Sequence, residues 1–255
     1  MKRVYGVVLS LVLASSLMAS EQFAMSDADR ALYEELLENN PADMIIANGE
    51  ELLGSLGGEG ELAKFLALSE DDLPKYIAGF PRYMKNIGSV VSIDQMLQAF
   101  MSTKGEKPYK LTSREMLDMS SYVKSLANGE EINIDIEANE HMKKAFALGK
   151  EVFETRRGKR GLSCLNCHNP DVVNTILRTQ PLPDISAKGN ASAATWPAYR
   201  MTMSNMFTLQ ERFQGCMNNA LLAVIPLGSK EMTALEVYFT HEAKGATMAV
   251  PGLKR

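Results

Sequence analysis

Five residues, Cys164-Leu165-Asn166-Cys167-His168, constrain this chain more than any other stretch. C-x-x-C-H is the attachment site of a c-type haem: two thiols form thioethers to the vinyl groups and the adjacent imidazole takes one axial position on the iron. Cysteines three positions apart reach neighbouring edges of a porphyrin, and a histidine directly after the second is carried beneath the metal as the chain coils into a helical turn. A zinc site needs four ligands, and Cys216, His141 and His241 stand at no recognised spacing from the motif. A thioredoxin-like dithiol would need strand–helix–strand surroundings that this region lacks. One covalently bound haem c is therefore the expected cofactor.

The start of the chain agrees with that chemistry. Met1-Lys2-Arg3 is a basic n-region, Val4 to Met18 an apolar run, and Leu17-Met18-Ala19 a small-residue end, which together read as a signal peptide over 1-19. Such a run is short for a membrane span and no later stretch is apolar enough to be one, so no stable membrane span is expected. Haem c is attached outside the bacterial cytoplasmic membrane, and the expected compartment is the periplasm. With 27 basic against 31 acidic residues, nothing points to nucleic acid. The chain holds three cysteines. Two belong to the haem motif, which leaves Cys216 without an intramolecular partner in an oxidising compartment.

Apolar residues recur at helical spacing in Ala31 to Leu37, Glu51 to Ala67, Ile93 to Met101, Glu115 to Leu126, His141 to Thr155 and Glu231 to His241, while strand signals are sparse. The expected fold is mainly α. Gly129 and Gly245 each stand where a helix C′ position would want glycine. The chain also aligns with itself. Phe80-Pro81-Arg82-Tyr83 lies on Trp196-Pro197-Ala198-Tyr199, Ser113-Arg114-Glu115-Met116 on Ser229-Lys230-Glu231-Met232, Tyr122 on Tyr238 and Gly129 on Gly245, all at an offset of 116. Ahead of the haem motif the offset is 100, with Ala47-Asn48-Gly49-Glu50-Glu51 on Ala147-Leu148-Gly149-Lys150-Glu151. The expectation is two tandem cytochrome c-like domains, 20-135 and 136-255, related by internal duplication. Only the second carries the chemistry, because the first has Gly57 to Lys64 in place of the motif and Phe100 in place of Cys216. Met84, Met96, Phe100 and Met101 are expected to fill the space a porphyrin would occupy.

Opposite His168, the iron needs a sixth ligand. Met201, Met203, Met206, Met217 and Met232 are candidates, although a methionine-rich chain packs most of its methionines in the core. His141 and His241 are further candidates. Cys216 is the sharpest: it lies in an amphipathic segment, Phe207 to Met217, placed to cover the second face of the ring, and thiolate is a strong donor to ferric iron. A buried free thiol or an intermolecular disulfide is the alternative. Arg212, four residues earlier, shares its helical face and could bind a dianion, or be an ordinary surface arginine. Arg200 is another anion candidate. Arg156-Arg157-Gly158-Lys159-Arg160 either steers an anion or an acidic carrier towards the haem edge or is a solvated helix end, favourable near the C-terminal dipole.

Gly161 to His168, followed by Trp196-Pro197-Ala198-Tyr199-Arg200 and Gln210 to Met217, resembles the SoxA family, the catalytic cytochrome subunits of the periplasmic sulfur-oxidising SoxAX complex. The resemblance spans essentially the whole mature chain and its most specific element is the C-x-x-C-H site paired with the Arg-x-x-x-Cys of Arg212 and Cys216. It implies the mono-haem type. It further implies a haem-dependent sulfurtransferase, an L-cysteine S-thiosulfotransferase, that oxidatively joins thiosulfate to a cysteine of the carrier SoxYZ and passes electrons to a SoxX-like cytochrome partner. Under it, Cys164 and Cys167 hold the haem, His168 is the proximal ligand, Cys216, which can be a persulfide in the family, is distal ligand and catalytic sulfur, and Arg212 is catalytic. The rival is a simple electron-transfer cytochrome with a methionine opposite His168.

Overall fold

The computed structural model describes residues 26–254 apart from 170, 173–175, 178–179, 184 and 186–191. The expected signal peptide, 1-19, lies outside the described residues. The first half runs α1 (Asp27–Glu38), α2 (Asp43–Ser55), α3 (Gly58–Leu66), a short α4 (Leu73–Ile77), a hairpin of β1 (Arg82–Met84) and β2 (Ser89–Val91), α5 (Ile93–Thr103) and α6 (Arg114–Ser125). The second runs α7 (Glu140–Glu154), a one-turn α8 (Leu165–His168), a two-residue hairpin of β3 (Ile176–Leu177) and β4 (Gln180–Pro181), β5 (Ala198–Arg200), β6 (Asn205–Phe207), α9 (Leu209–Asn219), α10 (Lys230–Glu242) and β7 (Gly252–Lys254). No helix among the described residues is long and apolar enough to cross a membrane.

The first helix pair in each half meets on a glycine. A Cβ at Gly49 would sit 2.1 Å from the Asp118 carbonyl oxygen and 2.7 Å from the Tyr122 Cβ, so α2 crosses α6 backbone to backbone. Gly149 repeats the contact on α10, 1.9 Å from the Ala234 oxygen and 2.8 Å from the Tyr238 Cβ. Asp118 and Ala234, and likewise Tyr122 and Tyr238, are partners at the offset of 116. The correspondence continues through the rest of each half. Peptide bonds Phe80–Pro81 and Trp196–Pro197 are both cis. Hairpins β1–β2 and β5–β6 pair residues with matching register, Tyr83 with Val90 and Tyr199 with Met206. Helices α5 and α9 open on reciprocal capping boxes, Ser92 with Gln95 and Thr208 with Glu211, and α6 and α10 on Ser113 and Ser229.

Two expectations are corrected here. The apolar run from Glu51 to Ala67 is two helices, because Gly57 and Gly58 both take positive φ and turn the chain before α3. Gly129 and Gly245 also have positive φ, but α6 and α10 end on caps at Leu126 and Ala243, ahead of the glycines. Their role is to join the halves. Gly129 N–H donates to Met248 O and Gly245 N–H to Ile132 O; Ile132 N–H donates to Ala246 O and Met248 N–H to Glu130 O. Adding 116 to one member of each bond gives its counterpart, so segments 129–132 and 245–248 pair antiparallel about a local twofold axis through the bridge of Glu131 and Thr247. The buried apolar core is accordingly continuous through both halves, from Leu53 and Leu62 to Val237 and Phe239.

Candidate functional site

Helix α8 holds the haem motif in one tight turn. Cys167 N–H and His168 N–H both donate to Cys164 O, at 3.1 Å, and Asn166 Oδ1 accepts from Ser163 N–H at 2.8 Å and from its hydroxyl at 3.1 Å. All three cysteines are free and partly buried. Burial pushes the Cys164 thiol up to about 11, with the Arg157 guanidinium opposing. His168 is held below the usual imidazole range, first by burial and further by the nearby Arg212 charge, so its ring favours the neutral form. Its Nδ1 lies 2.9 Å from Pro183 O. A ring N–H donated to that carbonyl leaves the Nε2 lone pair free for a metal.

Cys216 comes from a separate helix. The Thr208 cap starts α9, Phe213 packs edge-on against Phe239 of α10 at 5.1 Å, and Cys216 falls within electrostatic range of the Cys164 thiol on α8. Arg212, one turn before Cys216, is close enough to oppose protonation of His168. Arg200, at the end of β5, is held below its usual value by burial and by Arg212, with Cys216 acting in the opposite sense. Two guanidiniums, one thiol and one imidazole thus converge, as the sequence expected for Arg212 and Cys216 and only weakly signalled for Arg200. The Pro183 carbonyl gave no signal in sequence, since a backbone acceptor carries none.

The first half supplies a control within the same chain. At the offset of 116, Arg200, Arg212 and Cys216 correspond to Met84, Met96 and Phe100, which are 5 %, 0 % and 0 % exposed. At corresponding positions the first half holds three apolar side chains in a sealed core and the second holds three polar or reactive ones. The other candidate iron ligands have these surroundings. His141 stacks on Tyr83 of the first half at 4.1 Å, His241 lies edge-on to Phe146 at 4.7 Å, Met206, Met217 and Met232 are core residues, and Met203 is exposed. Among the described residues no three of His, Cys, Asp or Glu gather as a bare metal-ion site.

Residues 67–132 match the model of the SoxA/TsdA cytochrome c domain, which is the half without the haem motif. The subunit SoxA of L-cysteine S-thiosulfotransferase from Hydrogenophilus thermoluteolus is 29% identical over the full length of both chains. The chain is thus similar to the SoxA/TsdA cytochrome c family in residues 67–132 and to SoxA subunits along its length. The SoxA subunit from Pseudaminobacter salicylatoxidans is 25% identical, covering 85% of this chain and 74% of its own. In fold the chain is similar to the crystal structure of SoxXA from P. pantotrophus, with a TM-score of 0.71 at 23% identity over 85% of this chain and 79% of that one. A haem c, the group a cytochrome c domain carries, fits the residues present. Two thiols on one helical turn and an imidazole whose Nδ1 is already engaged form the donor set such a group requires.

Proposed function

We propose that this chain is the catalytic subunit of an L-cysteine S-thiosulfotransferase: a periplasmic mono-haem cytochrome that joins thiosulfate oxidatively to a cysteine of a SoxYZ-type carrier and hands the electrons to a SoxX-like cytochrome partner. The observation that supports it most is the replacement of buried Met84, Met96 and Phe100 by Arg200, Arg212 and Cys216 at equivalent positions of a repeated scaffold. A plain electron carrier has no need of two guanidiniums and a thiol there. In this reading residues 20-135 and 136-255 are duplicated cytochrome c-like units, the first haem-free, behind a signal peptide at 1-19.

Cys164 and Cys167 would hold the haem covalently, and His168 and Cys216 would ligate its iron. When bound, the haem supplies a one-electron acceptor in contact with sulfur. The protein's part is to bind and orient. Arg212 and Arg200 pair with the thiosulfate dianion through charge-assisted hydrogen bonds, strengthened because both are partly buried. The sulfane sulfur then faces Cys216 Sγ, and forming the bond between Cys216 thiolate and that sulfur releases two electrons. The carrier's thiolate attacks the sulfane sulfur, the bond to Cys216 breaks and Cys216 leaves as thiolate. The net change is carrier thiol plus thiosulfate giving the carrier S-thiosulfonate, one proton and two electrons.

Cys216→Met tests the assignment. The variant should keep its covalent haem by intact mass and visible spectrum, yet conjugate thiosulfate to the carrier at least a hundredfold more slowly. Conjugation at the wild-type rate would refute the role of Cys216 and favour the electron-transfer cytochrome.

A further inference from the structure

The basic run after α7 is built into the fold rather than left as a solvated helix end. Helix α7 ends at Glu154 and Thr155 is extended, so Arg156 onward lies beyond the helix. Arg157 donates to Val152 O at 2.5 Å, and its N–H donates to Leu162 O at 2.9 Å, closing 157–162 as a tight antiparallel turn. Gly158 and Lys159 fix that turn onto the segment after α9. Lys159 N–H donates to Leu221 O at 3.0 Å, and a Cβ at Gly158 would lie 2.3 Å from the same oxygen, so only glycine permits this approach. Ala220 N–H in turn donates to Cys216 O and Leu222 N–H to Met217 O. The turn is therefore tied to the chain just beyond the site's thiol.

What the turn presents is specific. Arg156, Lys159 and Arg160 are exposed, and beside them Leu221 and Val224 are 46 % and 44 % exposed. This is a rigid cationic rim next to a small apolar surface, on a chain whose formal net charge is −4. A free dianion would need neither exposed leucine nor exposed valine. A protein surface with acidic side chains around an apolar contact matches both features, and charge complementarity of this kind raises association rates and fixes orientation.

We propose that Arg156, Lys159 and Arg160, with Leu221 and Val224, form the docking surface for an acidic face of the carrier protein that brings its thiol to Cys216. The inference rests on the sulfurtransferase reading above and adds to it the face on which the carrier sits. Arg157 is excluded from the recognition surface because its guanidinium is spent on Val152 O.

The test compares wild type with Arg156→Glu/Lys159→Glu/Arg160→Glu, each with its haem and its partner cytochrome, using purified SoxYZ-type carrier. Surface plasmon resonance against carrier at 20 to 300 mM NaCl should show affinity at least about tenfold weaker for the variant at the lowest salt, with a much flatter salt dependence. Inorganic thiosulfate binding by calorimetry should be unchanged. A milder triple substitution to Gln guards against misfolding and should give an intermediate loss. Carrier affinity equal to wild type, or a loss confined to the partner cytochrome, would overturn the docking assignment. Absence of conjugation by wild type itself would instead mean that the sulfurtransferase reading has failed.

Discussion

Asp94→Asn should make the protein more stable at pH 8 and change its stability by less than about 1 kcal/mol at pH 4. Asp94 lies in the first turn of α5, in a small cavity where the halves meet, lined also by Ser120, Lys124, Gln210 and Glu236. Asp94 and Gln210 are partners at the offset of 116, as are Ser120 and Glu236, so two equivalent polar pairs face each other there. Gln210 Nε2 donates to Glu236 Oε2 at 2.8 Å and Lys124 Nζ lies 3.6 Å from Glu236 Oε1. Burial raises Asp94 from 3.8 to about 6, with Glu236 adding to the shift and Ser120 and Lys124 opposing it. A carboxyl raised in the folded state contributes stability that is complete below its unfolded value and lost as pH rises through the folded one. A shift of roughly two units at about 1.4 kcal/mol each makes the ionised form cost about 3 kcal/mol. Asparagine keeps the shape and cannot ionise. At pH 8 the variant should gain about 2–3 kcal/mol, which for a chain of this length is a rise in Tm of roughly 5–10 °C. Thermal melts of both haem-loaded proteins from pH 4 to 8 measure it. Parallel curves across that range, or a variant less stable at pH 8, would refute the argument that desolvation dominates this site.

The two glycine crossings predict a matched pair of effects. Gly149→Ala and Gly49→Ala each drive a Cβ into a carbonyl of the opposing helix, and each should lower the free energy of unfolding by about 2–4 kcal/mol in urea titrations; a loss below about 1 kcal/mol in either would show that the helices can separate without penalty. Thr208→Ala removes the cap of the helix that carries Cys216 and should cost about 1 kcal/mol by the same measurement, with Ser92→Ala costing a similar amount on α5.

Much of the scaffold was legible in the chain itself. Helical spacing located α5, α6, α7 and α10 to within a residue or two, because apolar residues recur along each and a serine or asparagine cap stands ahead of it. The β elements were not visible. Strands of two or three residues are too short for a period of two to register, and β5 is held between β6 and β7 by chain brought from 252–254. The break at Gly57 was hidden by apolar residues that keep helical spacing on both sides of it.

The sequence by itself determined the chemistry available: thiols and imidazole at haem spacing, an unpaired Cys216, and a self-alignment in which the first half carries apolar residues where the second carries reactive ones. Such information is local or lies in a comparison of the chain with itself, so it survives without coordinates. Only the tertiary structure decided which groups meet. It put Arg200 beside Arg212 and Cys216, turned Gly129 and Gly245 into the junction between halves, and gathered Asp94, Lys124 and Glu236 in one cavity. Those encounters join residues far apart in sequence through desolvation and backbone pairing, and neither leaves a mark on any single segment.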